Sequence, residues 1–442
     1  MPASALAGAI VSHVTGGRRL GIDLGTTNTV AVIAGPRDPA RPLLFDGSEL
    51  LPSAVFLDAT GTLLTGRDAL RAGRVAPERL EPSPKRCVDN PTVLLGQVEV
   101  PVVDLLAAVL RRVAAEASWA AAADTVTLTC PAGWGPRRRA VLAAAATAAG
   151  LGDPRLVAEP VAAAASQATP RGGGGPVLVY DLGAGTFDAS VVRQTAAGIE
   201  VLATRGLADV GGLDIDAAVA AEVGQVYAVR DASLWRRLTA PQSTADRRMR
   251  QQWQDEIRAG KEALSRGSHT TIFVPLFDEE VMLGRPELER VARPTLDATV
   301  HTTREVLAEA GLTGADLRAV LLVGGSSRIP LAATLIHQAL GVPPTIAERP
   351  ELVVADGSLA VPDASTLPGQ PTLAAATNRY DVEGTVLRVE RTGGNAVEAV
   401  RRDGRETTRY TPPDYGETRA FTCTGDTLTL GDIEKVELAR AR

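Results

Sequence analysis

The strongest constraint on this chain is an element that occurs twice. An aliphatic run ends in Asp-Leu-Gly and is followed closely by threonine, first as Gly21-Ile22-Asp23-Leu24-Gly25-Thr26 and again as Val179-Tyr180-Asp181-Leu182-Gly183-Ala184-Gly185-Thr186. Arg19 to Asp23 and Val177 to Asp181 read as strands. Thr29 to Ile33 reads as a second strand that Gly35-Pro36 ends, so the first turn closes a hairpin and does not lead into a helix. A duplicated strand–turn unit predicts two lobes of like architecture that face each other. The 442 residues are also long for one compact core. A third strand–glycine element, Ala319 to Gly325, leads through Ser326 and Arg328 to Pro330, a favoured first-turn residue of a helix expected to run to about Leu340.

These turns suit a polyphosphate. Glycines let backbone N–H groups approach phosphate oxygens, and threonine hydroxyls add donors. An aspartate in such a place repels phosphate unless a cation lies between, so Asp23 and Asp181 fit the outer shell of a hydrated Mg²⁺, which keeps several of its waters. A single such turn is an ordinary tight turn. Two copies behind hydrophobic strands, with a third Gly-Gly turn in order, form a context that makes the motif specific.

Bulk properties exclude several classes. The net charge of −6 argues against a nucleic-acid footprint, and the short run Arg137-Arg138-Arg139 is expected on a solvated helix face. Aromatic residues are 3% of the chain, so the core must be built from small aliphatic side chains, as in buried parallel strands and alanine-rich helices. Cys87, Cys130 and Cys423 are scattered, as are His13, His269, His301 and His337; a disulfide framework or zinc site is not expected, and a reducing cytoplasm is. No secretion signal is expected around Ala5 to Val11, and no apolar run is long enough to span a bilayer.

Residues 1–17 read as a poorly ordered lead-in. Helices are expected over Val102–Ser118 and Arg137–Gly150, a strand over Thr125–Cys130, an alanine-rich helix after Glu159-Pro160, and an exposed, highly charged helix over Thr244–Leu264. The glycine run Arg171–Pro176 marks the expected lobe boundary. Pro362 to Pro371 reads as a linker, so the division is 18–362 and 363–442, the second a small β-rich or partly disordered region.

Three motifs together resemble the heat-shock protein 70 family of the actin, hexokinase and heat-shock chaperone superfamily. Gly21-Ile22-Asp23-Leu24-Gly25-Thr26-Thr27-Asn28-Thr29 is similar to its first phosphate motif, Val179 to Asp188 to its second, with Ala184 at a usual glycine, and Leu322 to Pro330 to its adenosine motif. Lesser echoes follow in family order: Leu51–Val55, Pro84–Arg86, Thr129–Ala132, Ala158–Ala163, Gly211–Asp216 and Pro350-Glu351 with Gly357. The resemblance covers about residues 19–361. It implies an α/β, actin-like ATPase fold of two lobes, each built on a duplicated mixed β-sheet with flanking helices, plus a small C-terminal appendage.

The resemblance also implies roles. Lys85 matches the catalytic lysine near the γ-phosphate, and Glu159, Asp181 and Asp188 match the acids that hold Mg²⁺ waters or orient the attacking water. Thr26, Thr27 and Thr186 match phosphate-contacting hydroxyls. Gly25, Asn28, Gly183, Gly185, Gly211 and Gly212 line the nucleotide; Lys261, Ser265, Gly324, Gly325, Ser326, Arg328 and Glu351 fall on the adenosine side, where a guanidinium at Arg328 can stack on adenine. The implied cofactors are ATP or ADP and Mg²⁺, held by Asp23 and Asp181 through water; whether K⁺ assists stays open. Pro131 and Arg139 match an interlobe relay, and equally read as a strand-ending proline and a helix-face arginine.

Departures temper these expectations. Arg258 stands where the family has a ribose-binding glutamate, and Glu262 where a basic residue packs on adenine; exchange of the two charges could preserve a pair. The segment between Lys85 and Pro131 is short for the family. No acidic–aliphatic linker is visible, and the residues from 363 onward are too few for a peptide-binding sandwich and lid. The expected activity is slow ATP hydrolysis coupled to lobe closure in a chaperone or chaperone-related regulator, a monomer that works with a protein client or co-chaperone. The rivals are a non-catalytic nucleotide-gated scaffold and, more remotely, a small-molecule kinase of the superfamily.

Overall fold

In a computed structural model, residues 17–35, 38–117, 125–166, 175–195 and 198–361 are described in full, and between 378 and 437 the backbone of seven strands. The lead-in 1–16, the glycine run 171–174 and the expected linker 362–371 lie outside the described residues. The chain divides into two compact units, 1–368 and 369–442.

The first unit contains one sheet topology used twice. Arg19–Leu24 pairs antiparallel with Asn28–Ala34, which continues to Arg41–Pro42, while on its other side it pairs parallel with Thr125–Cys130 and that strand with Arg155–Ala158. Val177–Leu182 repeats this: antiparallel to Phe187–Thr195 and through it to Gly198–Leu207, parallel to Ala319–Val323 and through it to Thr345–Ile346. The duplication seen in sequence is therefore a duplication of backbone, with the mixed sheets expected.

Why these strands are continuous aliphatic runs follows from their burial. Along Val177–Leu182, Val177 and Val179 belong to one core, and Leu178, Tyr180 and Leu182 to another; Leu321 and Val323 alternate with Val320 and Leu322 in the same way. With successive side chains on opposite faces, a sheet covered on both sides needs an apolar residue at every position. The first core is shared between the two halves of the unit, and helix Glu159–Ser166 contributes Val161 and Ala162 to Ala165 to it. That helix crosses helix Val353–Ser358 so closely that a Cβ at Gly357 would lie 1.8 Å from the Ala162 carbonyl oxygen. Small residues at the crossing are a geometric requirement, which accounts for the alanine-rich texture.

Helices Val102–Glu116 and Pro136–Ala148 and strand Thr125–Cys130 form where periodicity and alternation place them. Helix Pro330–Leu340 ends on Gly341 in the left-handed conformation, φ 71°. Helix Thr244–Leu264 has the expected bounds, but it is not an exposed helix throughout: Trp253, Ile257, Gly260, Lys261 and Leu264 are buried, a stripe at helical spacing hidden among many charges. In the second unit, Asn378–Glu383, Val386–Arg391, Val397–Arg402 and Arg405–Thr407 form one antiparallel sheet, and Phe421–Thr424, Thr427–Leu430 and Glu434–Glu437 another. No helix among the described residues is long and apolar enough to cross a membrane.

Candidate functional site

The first hairpin leaves Gly25, Thr26 and Thr27 as its turn, since Leu24 is opposite Thr29. Ser53 braces it from a neighbouring segment: its N–H donates to the Thr27 carbonyl (2.8 Å), its hydroxyl donates to the Gly25 carbonyl (2.8 Å), and it shares a hydrogen bond with Thr29 Oγ1 (2.9 Å). The strand Asn28–Ala34 starts on Asn28, opposite Pro52. Thr27 Oγ1 is buried and has no hydrogen-bond partner. A buried hydroxyl left unpaired is unfavourable by about 1–3 kcal/mol, so it marks a place for a bound acceptor.

The second turn is closed by Gly183 N–H donating to Thr186 O (3.0 Å) and is tied to a third segment, where Gly212 N–H donates to Gly183 O (3.0 Å) and Leu213 N–H to Ala184 O (2.7 Å). Gly211 N–H donates to Asp214 Oδ2 (2.8 Å), which starts helix Gly212–Arg230. The register sets Asp181 directly opposite Asp188. The two turns face each other: a Cβ on Gly185 would lie 3.2 Å from Thr26 Cγ2 and 3.3 Å from Arg86 Cδ. Gly324 closes the site from the parallel strand. Its φ is +80°, and a Cβ there would lie 2.5 Å from the Leu182 carbonyl oxygen and 2.6 Å from Asp181 Oδ1, so only glycine fits.

Between the turns is a charged core. Lys85 Nζ donates to Glu159 Oε1 at 2.9 Å, with the two side chains 10% and 11% exposed. Thr129 Oγ1 donates to Asp23 Oδ1 (3.0 Å). Burial pushes Asp23 up to about 6, with the Glu159 charge adding to the rise and Lys85 and Thr129 opposing it. Burial likewise lifts Asp188 to about 7, helped by Glu159 and opposed by Lys85. Asp181 is held well above the usual carboxylate range by burial, then by Glu159, Asp188 and Asp23. Burial works against the charge on Lys85, but Glu159 and Asp23 outweigh it and raise its pKa. Four carboxylates thus share one ammonium, and the cleft is short of positive charge.

That deficit is the test of a cation. Among the described residues no group of three or more His, Cys, Asp or Glu is arranged to grip a metal ion directly. A hydrated Mg²⁺, held through its waters, fits a set of separated carboxylates better than a dehydrated ion does. Asp23 and Asp181 are the residues that would hold it.

On the other side of the second turn, Lys261 Nζ donates to Gly212 O (2.8 Å) and pairs with Asp216 Oδ1 (2.7 Å). A Cβ on Gly212 would lie 2.3 Å from Ser326 Oγ and 3.0 Å from Lys261 Nζ, so these three converge. Arg328 makes a two-point ion pair with Glu351, Nε to Oε1 2.7 Å and Nη2 to Oε2 2.8 Å, which fixes the guanidinium plane. Ser265 follows the end of helix Thr244–Leu264, its hydroxyl 3.5 Å from the Lys261 carbonyl, and Gly325 has open space around it. Arg258 reaches Asp216 at 3.8 Å, and the Glu262 charge contributes to the field at Arg328, whose direct partner is Glu351.

Arg139 corrects one expectation: it is 7% exposed, not on a solvated face, and its Nη2 lies 3.5 Å from the Ala132 carbonyl beside Pro131. Arg137 is the exposed member of the run, and Arg138, partly exposed, pairs in two-point fashion with Asp89 (2.8 and 2.6 Å). Sequence reasoning missed the parts played by Ser53, Thr129, Trp134 and Asp216. It also missed a compositional signal. Of the 46 basic residues only three are lysines, Lys85, Lys261 and Lys435. Two of them are buried at this site, where a compact three-donor ammonium does what a forked guanidinium cannot.

A family model described as Hsp70 protein matches residues 92–411, past the expected boundary at 362 and without the first turn. The chain is similar to the chaperone protein HscA homologue of Bordetella petrii, 33% identical over 366 residues, 77% of this chain and 57% of the relative. The homologue from Bordetella pertussis is 33% identical over 403 residues, 85% and 62% of the two chains. That of Acidithiobacillus ferrooxidans is 32% identical over 374 residues, 78% and 58%. The chain therefore spans less than two thirds of the length of these relatives.

Proposed function

The chain belongs to the heat-shock protein 70 family, and from that premise we propose that it binds Mg-ATP between its two lobes and hydrolyses it slowly to ADP and phosphate. The observation that carries this reading is the partly enclosed, charge-crowded set of Lys85, Glu159, Asp23, Asp181 and Asp188 between two facing glycine–threonine turns. In this reading the turn glycines, Thr26, Thr27 and Thr186 position the phosphates. Lys85 stabilises the charge that develops on the γ-phosphoryl oxygens, and Glu159 and Asp188 orient the attacking water. Water bonds to the γ-phosphorus as the bond to the bridging oxygen breaks, and ADP carries away that electron pair. Mg²⁺, when bound through Asp23 and Asp181, neutralises phosphate charge. Lys261, Ser265, Ser326 and Arg328 hold the adenosine side, with Arg328 oriented by Glu351.

Closure of the lobes on ATP and reopening after hydrolysis is the proposed output, a shift of population driven by unequal affinity for the nucleotide states. A chaperone role is proposed from the relatives' names, and action together with a protein client or co-chaperone in the cytoplasm is part of the same proposal. The test is single-turnover hydrolysis with Mg²⁺, comparing wild type with Lys85→Ala and Asp181→Ala. Slow turnover lost in both variants is expected. Tight binding without turnover in the wild type would turn the reading toward a nucleotide-gated scaffold.

A further inference from the structure

Lysine has a long flexible stem, and a buried ammonium among four carboxylates has several places to go. Besides its bond to Glu159, the Lys85 ammonium has an aromatic ring as a neighbour. Lys85 Nζ lies 5.5 Å from the centroid of Trp134, which is 7% exposed, and the Arg138 guanidinium carbon lies 6.0 Å from the same ring. Arg138 is itself held by Asp89, so the indole is fixed from outside by one cation while it faces another. Trp134 occupies a turn that begins when its N–H donates to the Pro131 carbonyl (3.1 Å) and ends at helix Pro136–Ala148. The flanking glycines, Gly133 and Gly135, have nothing within 4 Å of a Cβ, so the turn is not wedged in place by its neighbours. In a chain with 3% aromatic residues, a tryptophan over one of three lysines is a specific arrangement.

We propose that Trp134 is a positioning residue for Lys85: the negative face of its indole keeps the ammonium on one side of the cleft, out of Asp23, Asp181 and Asp188, until a phosphate competes for it. The proposal rests on the ATPase reading for its catalytic consequence, but not for the contact itself. A ring face attracts a desolvated cation without neutralising it, so the charge stays available to an anion. A second carboxylate in the ring's place would add another ion pair to the one Lys85 already makes with Glu159 and hold the ammonium more tightly against an incoming anion.

The test combines rate and spectroscopy. Fluorinated tryptophans at position 134 withdraw electron density from the ring while nearly keeping its shape. Single-turnover hydrolysis should fall stepwise with each fluorine, by roughly tenfold for the most fluorinated ring, at unchanged ATP affinity. Trp134→Phe should retain most of the rate, and Trp134→Leu should not. In parallel, selective ¹³C-lysine labelling leaves three ε-methylene signals to follow, because the chain has three lysines. The Lys85 signal should be displaced upfield by the indole ring current, and the displacement should vanish in Trp134→Leu. A rate indifferent to fluorination, or an undisplaced Lys85 signal, overturns the proposal. If the wild type hydrolyses nothing while the Lys85 signal responds to Trp134, the positioning stands and the ATPase reading is what has failed.

Discussion

Lys85→Met isolates the charge balance of the cleft. The substitution keeps an unbranched side chain of similar length and removes the ammonium, leaving Glu159 and its three neighbouring aspartates without a buried counter-charge. Removing one partner of a buried ion pair is destabilising by about 3–5 kcal/mol, and with both side chains about nine-tenths buried the full range applies at pH 7.5 in Mg²⁺-free buffer. The deficit should shrink with acid. Asp23 and Asp188 titrate near 6 and 7 in the folded protein, against an ordinary value of 3.8. The folded state therefore takes up protons that the unfolded state does not as pH falls from about 7 toward 4, and stability rises over that window. Lys85 stays protonated throughout, so the carboxylates alone set the pH dependence. Without the ammonium they bind protons more tightly still, and at pH 5 the variant should recover to within about 1–2 kcal/mol of wild type. Urea unfolding of both proteins at pH 7.5 and pH 5, without nucleotide, measures this directly. A deficit below about 1 kcal/mol at pH 7.5, or one equal at the two pH values, would show that the cleft carboxylates are solvated and that the pair behaves as a surface ion pair.

Three further outcomes are expected. Thr27→Val removes a buried hydroxyl that has no partner, so the nucleotide-free protein should keep or slightly gain stability while ATP affinity drops by about tenfold; calorimetric titration and thermal melts separate the two effects. Gly324→Ala places a Cβ against Leu182 O and Asp181 Oδ1 at a φ of +80°, and should destabilise by about 1–3 kcal/mol and abolish nucleotide binding; a variant that binds ADP normally would refute the crowding. A chain ending at Pro362 should remain folded and bind nucleotide if 18–362 is the autonomous domain proposed, and a failure to fold when expressed alone would move that boundary.

Much of the architecture was legible because its signals are local. Strand Thr125–Cys130 was visible from alternation, helix Thr244–Leu264 from its run of charged residues, and helix Pro330–Leu340 from the proline at its first turn. The buried stripe of Thr244–Leu264 was not, because Trp253, Ile257 and Leu264 are diluted among charges that a composition reading averages over. Nor was the burial of Arg139: three consecutive arginines on a helix point in different directions, and only the packing of Pro131 and Ala132 behind them decides which is enclosed.

By itself, then, the sequence determined that the chain contains two like strand–turn units, and that their glycines and threonines suit phosphate, because both follow from residues adjacent along the backbone. The family resemblance implied that Lys85, Glu159 and Asp23 share a site; only the tertiary structure decided that Lys85 pairs with Glu159 there, that Ser53 braces the first turn and that Trp134 lies against the lysine. Those contacts join segments far apart in the chain. Their electrostatics depend on burial, which raises the aspartates and holds the ion pair out of water. Burial belongs to the packed molecule and to no segment of it.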